Sequence, residues 1–399
     1  MQSPSQIHIA SQAPPKRFAA WLALVYGTGF GLVGTHLPFF PVWLKAVGVD
    51  AGWIGIITAV PSVTRFTTLP FATSFAERHQ AVRGGIIVMG FGTTIGLAIV
   101  GLQREALAIF LVYALTCIVW TPMVPLIDAY ALRGVRQYGL KYGPLRLWGS
   151  AAFVVGALLC GWLIDVIAAK HLIWIIVGMA ALSALVSLGL RPLGPLTSSS
   201  AAMAGANVLL RDWGFLAIIV TSALIQSSHS AYYVVASIAW QQEGFGGLTI
   251  AGLWTLGVLA EIVVFALSPR FTLPAATLVM ISAFCAVARW VITALAPPIL
   301  ILAPVQLMHG LTFGLTQVGI MNLMVHHVSA HIMARGQGYL SACGGIAAGC
   351  AYILSGAVFA RYGQNVYYVM AAIAACGGLV MFLARHHLAD HPQSVASGG

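Results

Sequence analysis

The chain has 399 residues, 60% hydrophobic and only 7% charged. Soluble domains carry about 25% charged residues, so a water-soluble enzyme or binding module is excluded. Its net charge of +10 would suit nucleic acid, but the basic residues are scattered among short connections, with no basic stripe and no interleaved aromatics. That excludes a nucleic-acid partner and leaves membrane orientation as the reason for the charge.

A polar tail, 1–17, precedes an apolar stretch at 18–43, which reads as a retained first span because no small-residue cleavage site follows it. Further apolar stretches run over 51–75, 83–102, 105–132, 144–168 and 171–190. A span needs about 20 apolar residues, so these make a six-helix first half, 18–190. The connection 191–212 holds Pro192, Pro195 and a Ser/Ala run and reads as a linker. Six more stretches follow at 213–240, 248–269, 274–296, 299–325, 335–360 and 365–385, a second half over 213–385, with a tail at 386–399. The expectation is an all-α membrane protein of twelve transmembrane helices in two six-helix halves, with a site between them near the midplane.

Thirteen of the 19 Lys and Arg fall in connections on the side of the termini, and four (Lys45, Arg104, Lys170, Arg361) on the other. The excess predicts both termini in the cytoplasm and a multi-pass protein of the cell inner membrane. Glycines crowd the first span (Gly27, Gly29, Gly31, Gly34) and the eleventh (Gly344, Gly345, Gly349, Gly356), which suits close helix contact. The six cysteines lie in apolar segments without a CxxC pair, so neither a disulfide framework nor a metal site is expected. His326, His327 and His331 cluster without an acid or cysteine and read as a loop facing solvent or headgroups.

Of the nine acidic residues only Asp128 and Glu261 lie deep in apolar stretches, and Arg65 and Arg289 are the two basic residues inside spans. A charge at bilayer depth costs roughly 3 kcal/mol even on lenient scales, so it is kept for a partner, an ion or a polar substrate. Glu261, alone in the eighth span, suits either a proton carrier or a static ion pair. Arg65, in the second span, is its natural counter-charge, or else a fork for a substrate carboxylate. Tyr26, Phe30, Trp148, Phe153, Trp254 and Phe313 are candidates to line a cavity. Gln226, His229, Gln317 and Asn322 are candidate hydrogen bonders to a substrate, with interhelical bonding as the other reading.

Asp128 is followed eighteen residues later by Arg146, within Tyr142-Gly-Pro-Leu-Arg-Leu-Trp-Gly149, and Arg289 twenty residues later by His309, within Leu307-Met-His-Gly-Leu-Thr-Phe-Gly314. Both spacings resemble the lactose permease branch of the major facilitator superfamily. Leu37-Pro-Phe-Phe-Pro-Val-Trp-Leu-Lys45 and Leu253-Trp-Thr-Leu-Gly-Val-Leu-Ala-Glu261 resemble the phenylpropionate permease subgroup more closely. The resemblance implies that Asp128 and Arg146 help hold substrate, with a gate latch as the alternative. It makes Arg289 and His309 a proton-coupling pair, with helix packing as the alternative for His309. The chain departs from the family where Thr73-Ser-Phe-Ala-Glu77-Arg78 replaces Gly-x-x-x-Asp-Arg. It departs again at Thr312, where the lactose permease has Glu, and in an eighth-span acid displaced by about one turn.

The expected function is secondary transport without a cofactor, driven by a proton gradient. The partners are a small organic solute, protons and the bilayer, and the protein works as a monomer. An aromatic carboxylate resembling phenylpropionate is the expected cargo. A nucleoside or sugar symporter, or an efflux or facilitated carrier, are alternatives. An intramembrane enzyme is disfavoured because no HExxH, no GxSxG and no paired aspartates on adjacent spans occur.

Overall fold

A computed structural model describes residues 17–79, 81–138, 140, 142–193, 209–328 and 332–389; these are helical, with no strand among the described residues. The first half holds α1 (Phe18–Ala46), α2 (Ala51–Thr67), α3 (Leu69–Arg78), α4 (Val82–Leu102), α5 (Ala106–Trp120), α6 (Met123–Tyr138), α7 (Tyr142–Ile164) and α8 (Leu172–Ser187). The second holds α9 (Trp213–Ser227), α10 (Ser230–Gln242), α11 (Gly247–Leu267), α12 (Ala275–Ala294), α13 (Ile299–His309), a π-helical segment (Gly310–Gly314), α14 (Leu315–His327), α15 (Met333–Tyr362) and α16 (Val366–Ala389). Ten stretches are long and apolar enough to cross a membrane, and one of them, Arg335–Leu388, is α15 and α16 joined by the turn Gly363–Asn365. Separating those two and adding the α2–α3 pair gives the twelve expected spans.

Four spans that read as continuous in sequence are broken. The second breaks at Thr68, just before Pro70, and the fourth at Thr121-Pro122, because proline removes a helix donor and crowds the preceding turn. In the seventh, α9 ends at Ser227 without a proline. There the Ser228 hydroxyl (2.6 Å) and His229 Nδ1 (3.1 Å) both take the Ile225 carbonyl. The tenth passes through five π residues bracketed by Gly310 and Gly314. Side-chain hydroxyls take the Thr312 carbonyl, from Ser282 on α12 (2.8 Å) and from Thr316 (2.8 Å). Such π segments concentrate at functional sites.

The even number of spans puts both ends of the described chain on one side of the molecule. On the opposite side the two halves meet, chiefly α2 with α15, α7 with α11 and α1 with α10. Glycines allow it. A methyl on Gly55 would sit 2.7 Å from the Tyr352 carbonyl and 3.0 Å from the Gly356 Cα, and one on Gly161 would sit 2.5 Å from the Gly247 carbonyl. Beside that contact Asp165, just past α7, caps α11 from the other half, accepting from the Gly247 (2.7 Å) and Leu248 (3.2 Å) amides. A carboxylate at a helix start meets both orphan amides and the positive end of the macrodipole. At the side of the termini, α3 and α6 make their principal contacts within their own half, with α2, α4, α1 and α7. The α2–α15 contact continues from Gly55 as far as Gly345, where a methyl would sit 2.9 Å from the Phe66 ring.

Asp212 caps α9 through the Phe215 amide (3.1 Å) and meets His327 Nε2 at 3.0 Å, tying the start of the seventh span to the end of the tenth. Burial alone would raise its carboxyl, but His327 and the backbone amides outweigh that and hold it below its ordinary value. His327 is therefore paired, a correction to a purely solvated histidine loop, while His326 is exposed and His331 lies outside the described residues.

Asp165→Ala should loosen the closed end by about 1 kcal/mol, the usual worth of an acidic helix cap. A single cysteine at buried Ile57, in a background without the six native cysteines, should then react with a maleimide several-fold faster than when Asp165 is present. Unchanged labelling would show that the cap does not hold that end shut.

Candidate functional site

The polar centre of the second half is built where α11, α12 and the tenth span meet. Gly257 lies one helical turn before Glu261 on the same face of α11, and a methyl there would stand 3.3 Å from the His309 Cβ. Gly310 matches it, since a methyl there would stand 2.5 Å from the Ala260 carbonyl. These two close approaches bring the Glu261 carboxylate to within 3.8 Å of His309 Nε2. Glu261 is about 26% exposed and His309 about 7%, so the carboxylate reaches open space while the imidazole does not.

Arg289, on α12, is fully buried behind His309. Its Nη1 donates to His309 Nδ1 (2.9 Å) and Thr312 Oγ1 (3.3 Å), and its Nη2 to Gln306 Oε1 (2.9 Å). Its guanidinium carbon lies 4.9 Å from the Tyr232 ring centre and 4.5 Å from that of Trp290, within cation–π range. A guanidinium only donates, so His309 Nδ1 must be bare and the ring neutral, with its one N–H on Nε2, facing Glu261. Arg289 thereby fixes the tautomer of His309 and aims its proton at the carboxylate.

In the first half, the Tyr26 hydroxyl on α1 donates to Asp128 Oδ1 on α6 at 2.6 Å. His36 is buried among Phe40, Tyr113 and Trp120, with Nε2 3.1 Å from the Tyr113 hydroxyl. Arg65 is exposed and within electrostatic range of Tyr352 on α15, whose ring lies nearly parallel to that of Tyr233, 6.4 Å centre to centre.

Arg289 and His309 meet, as their spacing suggested, and Glu261 reaches His309 from α11. Among the described residues no ion pair joins Arg65 to Glu261, and Glu261 lies against His309. Phe153, expected at a cavity or gate, is 7% exposed, and its backbone packs against Gly34 where α1 and α7 cross. Tyr26 is committed to Asp128, and Trp254 is buried and donates to Ser237 (3.0 Å). Trp148 is 61% exposed. His229 is buried with both ring nitrogens engaged, which removes it as a direct substrate contact. Gln317 is half-buried and Asn322 exposed on α14, beyond the π segment. The side chains of Arg146, Glu77 and Arg78 lie outside the described residues. Gln306 and Thr312 were missed as functional residues. Their spacing from His309, three residues on either side, puts them on its face of the helix and was the available signal.

The chain matches the family described as the MFS_1 like family over residues 19–370. It belongs to that family. A relative, the probable 3-phenylpropionic acid transporter of Escherichia coli, is 30% identical over 362 residues, 89% of this chain and 94% of that protein. The maltose permease of Geobacillus stearothermophilus is 24% identical over 373 residues, 90% and 92% of the two chains. The crystal structure of the nucleoside transporter NupG superposes with a TM-score of 0.81 at 16% identity, over 92% of this chain and 98% of that one, which is a likeness of fold. The protein is a multi-pass membrane transporter of this type, not an enzyme.

Replacing Arg289 with Leu strips the donor from His309 Nδ1 and Gln306 Oε1, and an orphaned buried acceptor costs about 1–3 kcal/mol. Arg289→Leu should therefore melt in detergent several degrees below Gln306→Leu, which breaks one bond of the set. Equal melting of the two variants in a thermal unfolding assay would show that the guanidinium does not hold this centre together.

Proposed function

We propose that this protein is a proton-coupled symporter that takes up a small organic acid, with an aromatic carboxylate resembling phenylpropionate as cargo. The observation that carries the reading is Glu261: a partly exposed carboxylate at mid-span, facing an imidazole whose N–H is aimed at it by a buried guanidinium. A carboxyl in such a place can take a proton from one side of the membrane and release it on the other. Symport requires that loading and release be tied to which end is open, and the halves 1–190 and 213–399 rock about the closed end to supply this. The excess of Lys and Arg on the side of the termini supports a cytoplasmic position for that side. The chain works as a monomer in the inner membrane, with no cofactor and the proton gradient as its energy source.

Arg65 is the anchor for the cargo. It is a permanent cation, exposed and within electrostatic range of Tyr352, and its fork suits a carboxylate. The name of the Escherichia coli relative, a probable 3-phenylpropionic acid transporter, supports the same class of substrate. Asp128, held by Tyr26, and Arg146 contribute substrate contact or a gate latch, and Gln317 and Asn322 contact the cargo on its way along α14.

Glu261→Gln mimics the permanently protonated state. It should keep counterflow exchange in proteoliposomes and lose uphill uptake driven by an imposed pH gradient. Normal accumulation by this variant would remove Glu261 as the proton carrier.

Arg65→Lys keeps the charge and loses the fork, so the apparent KM for the acid should rise about tenfold with the carrier still folded. Uptake of the acid and of its methyl ester with the same KM would eliminate the carboxylate contact and favour a neutral nucleoside or sugar.

A further inference from the structure

His229 is absorbed by none of the roles above, yet both of its ring nitrogens are engaged. It stands at the break between α9 and α10, fully buried. Its Nδ1 lies 3.1 Å from the Ile225 carbonyl and its Nε2 lies 3.0 Å from Thr312 Oγ1. A carbonyl only accepts, so Nδ1 carries the hydrogen. A second proton on this ring would place another cation beside buried Arg289, so the ring is neutral and Nε2 is bare. The Thr312 hydroxyl must then donate to Nε2. Its alternative acceptor, the His309 carbonyl at 3.3 Å, gives way, and its lone pairs are left for Arg289 Nη1.

We infer that His229 is a positioning residue for the coupling centre. By linking the break of the seventh span to the π segment of the tenth, it holds the Thr312 hydroxyl as an acceptor for Arg289, and so keeps Arg289 donating to His309 rather than turning to Glu261. The inference rests on the proton-symport reading only for its effect on transport; its effect on the carboxyl of Glu261 stands apart from that reading. The ionisable groups around His229 are Arg289 on α12, His309 on α13, Tyr232 and Tyr233 on α10, and Glu261 on α11 beyond His309.

Cutting the link frees Arg289 to approach Glu261 directly. A nearby cation favours the ionised carboxyl, so the protonation midpoint of Glu261 should move to lower pH by about one unit. The experiment is an infrared difference titration of the purified full-length protein, with the carboxyl band of Glu261 assigned by its loss in Glu261→Gln. It is paired with the pH profile of gradient-driven uptake. His229→Phe keeps an aromatic ring against Trp290 and removes both hydrogen bonds, and Thr312→Val removes the hydroxyl in a nearly isosteric side chain. Both should show the acid shift, and the double variant should shift no further than either alone, because one link has been cut twice. His229→Gln, with an amide that both donates and accepts, should restore most of the midpoint. A midpoint unmoved in both single variants, or shifts that add, would overturn the proposal and leave His229 as a seal for the helix break. If uptake ignores the pH gradient while the carboxyl band still shifts as described, proton symport fails and the positioning role stands.

Discussion

Arg289 cannot discard its charge, so the protein has to take the place of water around a fully buried guanidinium. Gln306, His309 and Thr312 supply acceptors, and Tyr232 and Trp290 supply ring faces. The carboxylate that balances it stands one side chain away, behind His309. His309, neutral and held by Arg289, stands between that cation and the Glu261 carboxylate.

The geometry around that charge is set by backbone choices more than by side chains. Glycines at 257 and 310 let α11 approach the tenth span closely enough for Glu261 to reach His309. The broken seventh span and the π segment of the tenth expose carbonyls inside the bundle, and nearby hydroxyls and one imidazole satisfy them. Interrupted helices at membrane depth are tolerated only where protein or a wet cavity meets their backbone groups, and here protein does so. The same economy holds at the closed end, where paired glycines and one acidic cap join the halves.

The twelve spans were legible because membrane helices announce themselves by composition over some twenty residues, and the breaks at Pro70 and Pro122 by proline. The seventh-span break was not, because Ser228 and His229 interrupt a helix only when their side chains find the right carbonyl. Arg289 and His309 were legible through their spacing and the resemblance it carried. Gln306 and Thr312 were not, since uncharged polar residues are common in spans and only a buried cation nearby gives them a task. Among the described residues Glu261 meets His309 rather than Arg65, which sequence position alone does not foretell. Sequence position sets the depth of a residue along a span, but its direction around the helix axis depends on packing, and α11 turns Glu261 toward the tenth span.

The π segment has a bearing on how this chain is aligned with its relatives. A wider turn accommodates one residue more than an α-turn, so everything after Gly314 is rotated by about 100° from where an unbroken helix would carry it. Gln317 and Asn322 owe the faces they occupy to that extra residue. A homologue lacking one residue between 310 and 314 could match this chain closely on either side of the gap and still present a different stripe of its tenth span to the cavity. Across such a gap, identical letters would mark different places in the lumen, and a shift in what is carried could arise from a single deleted codon rather than from any replaced side chain.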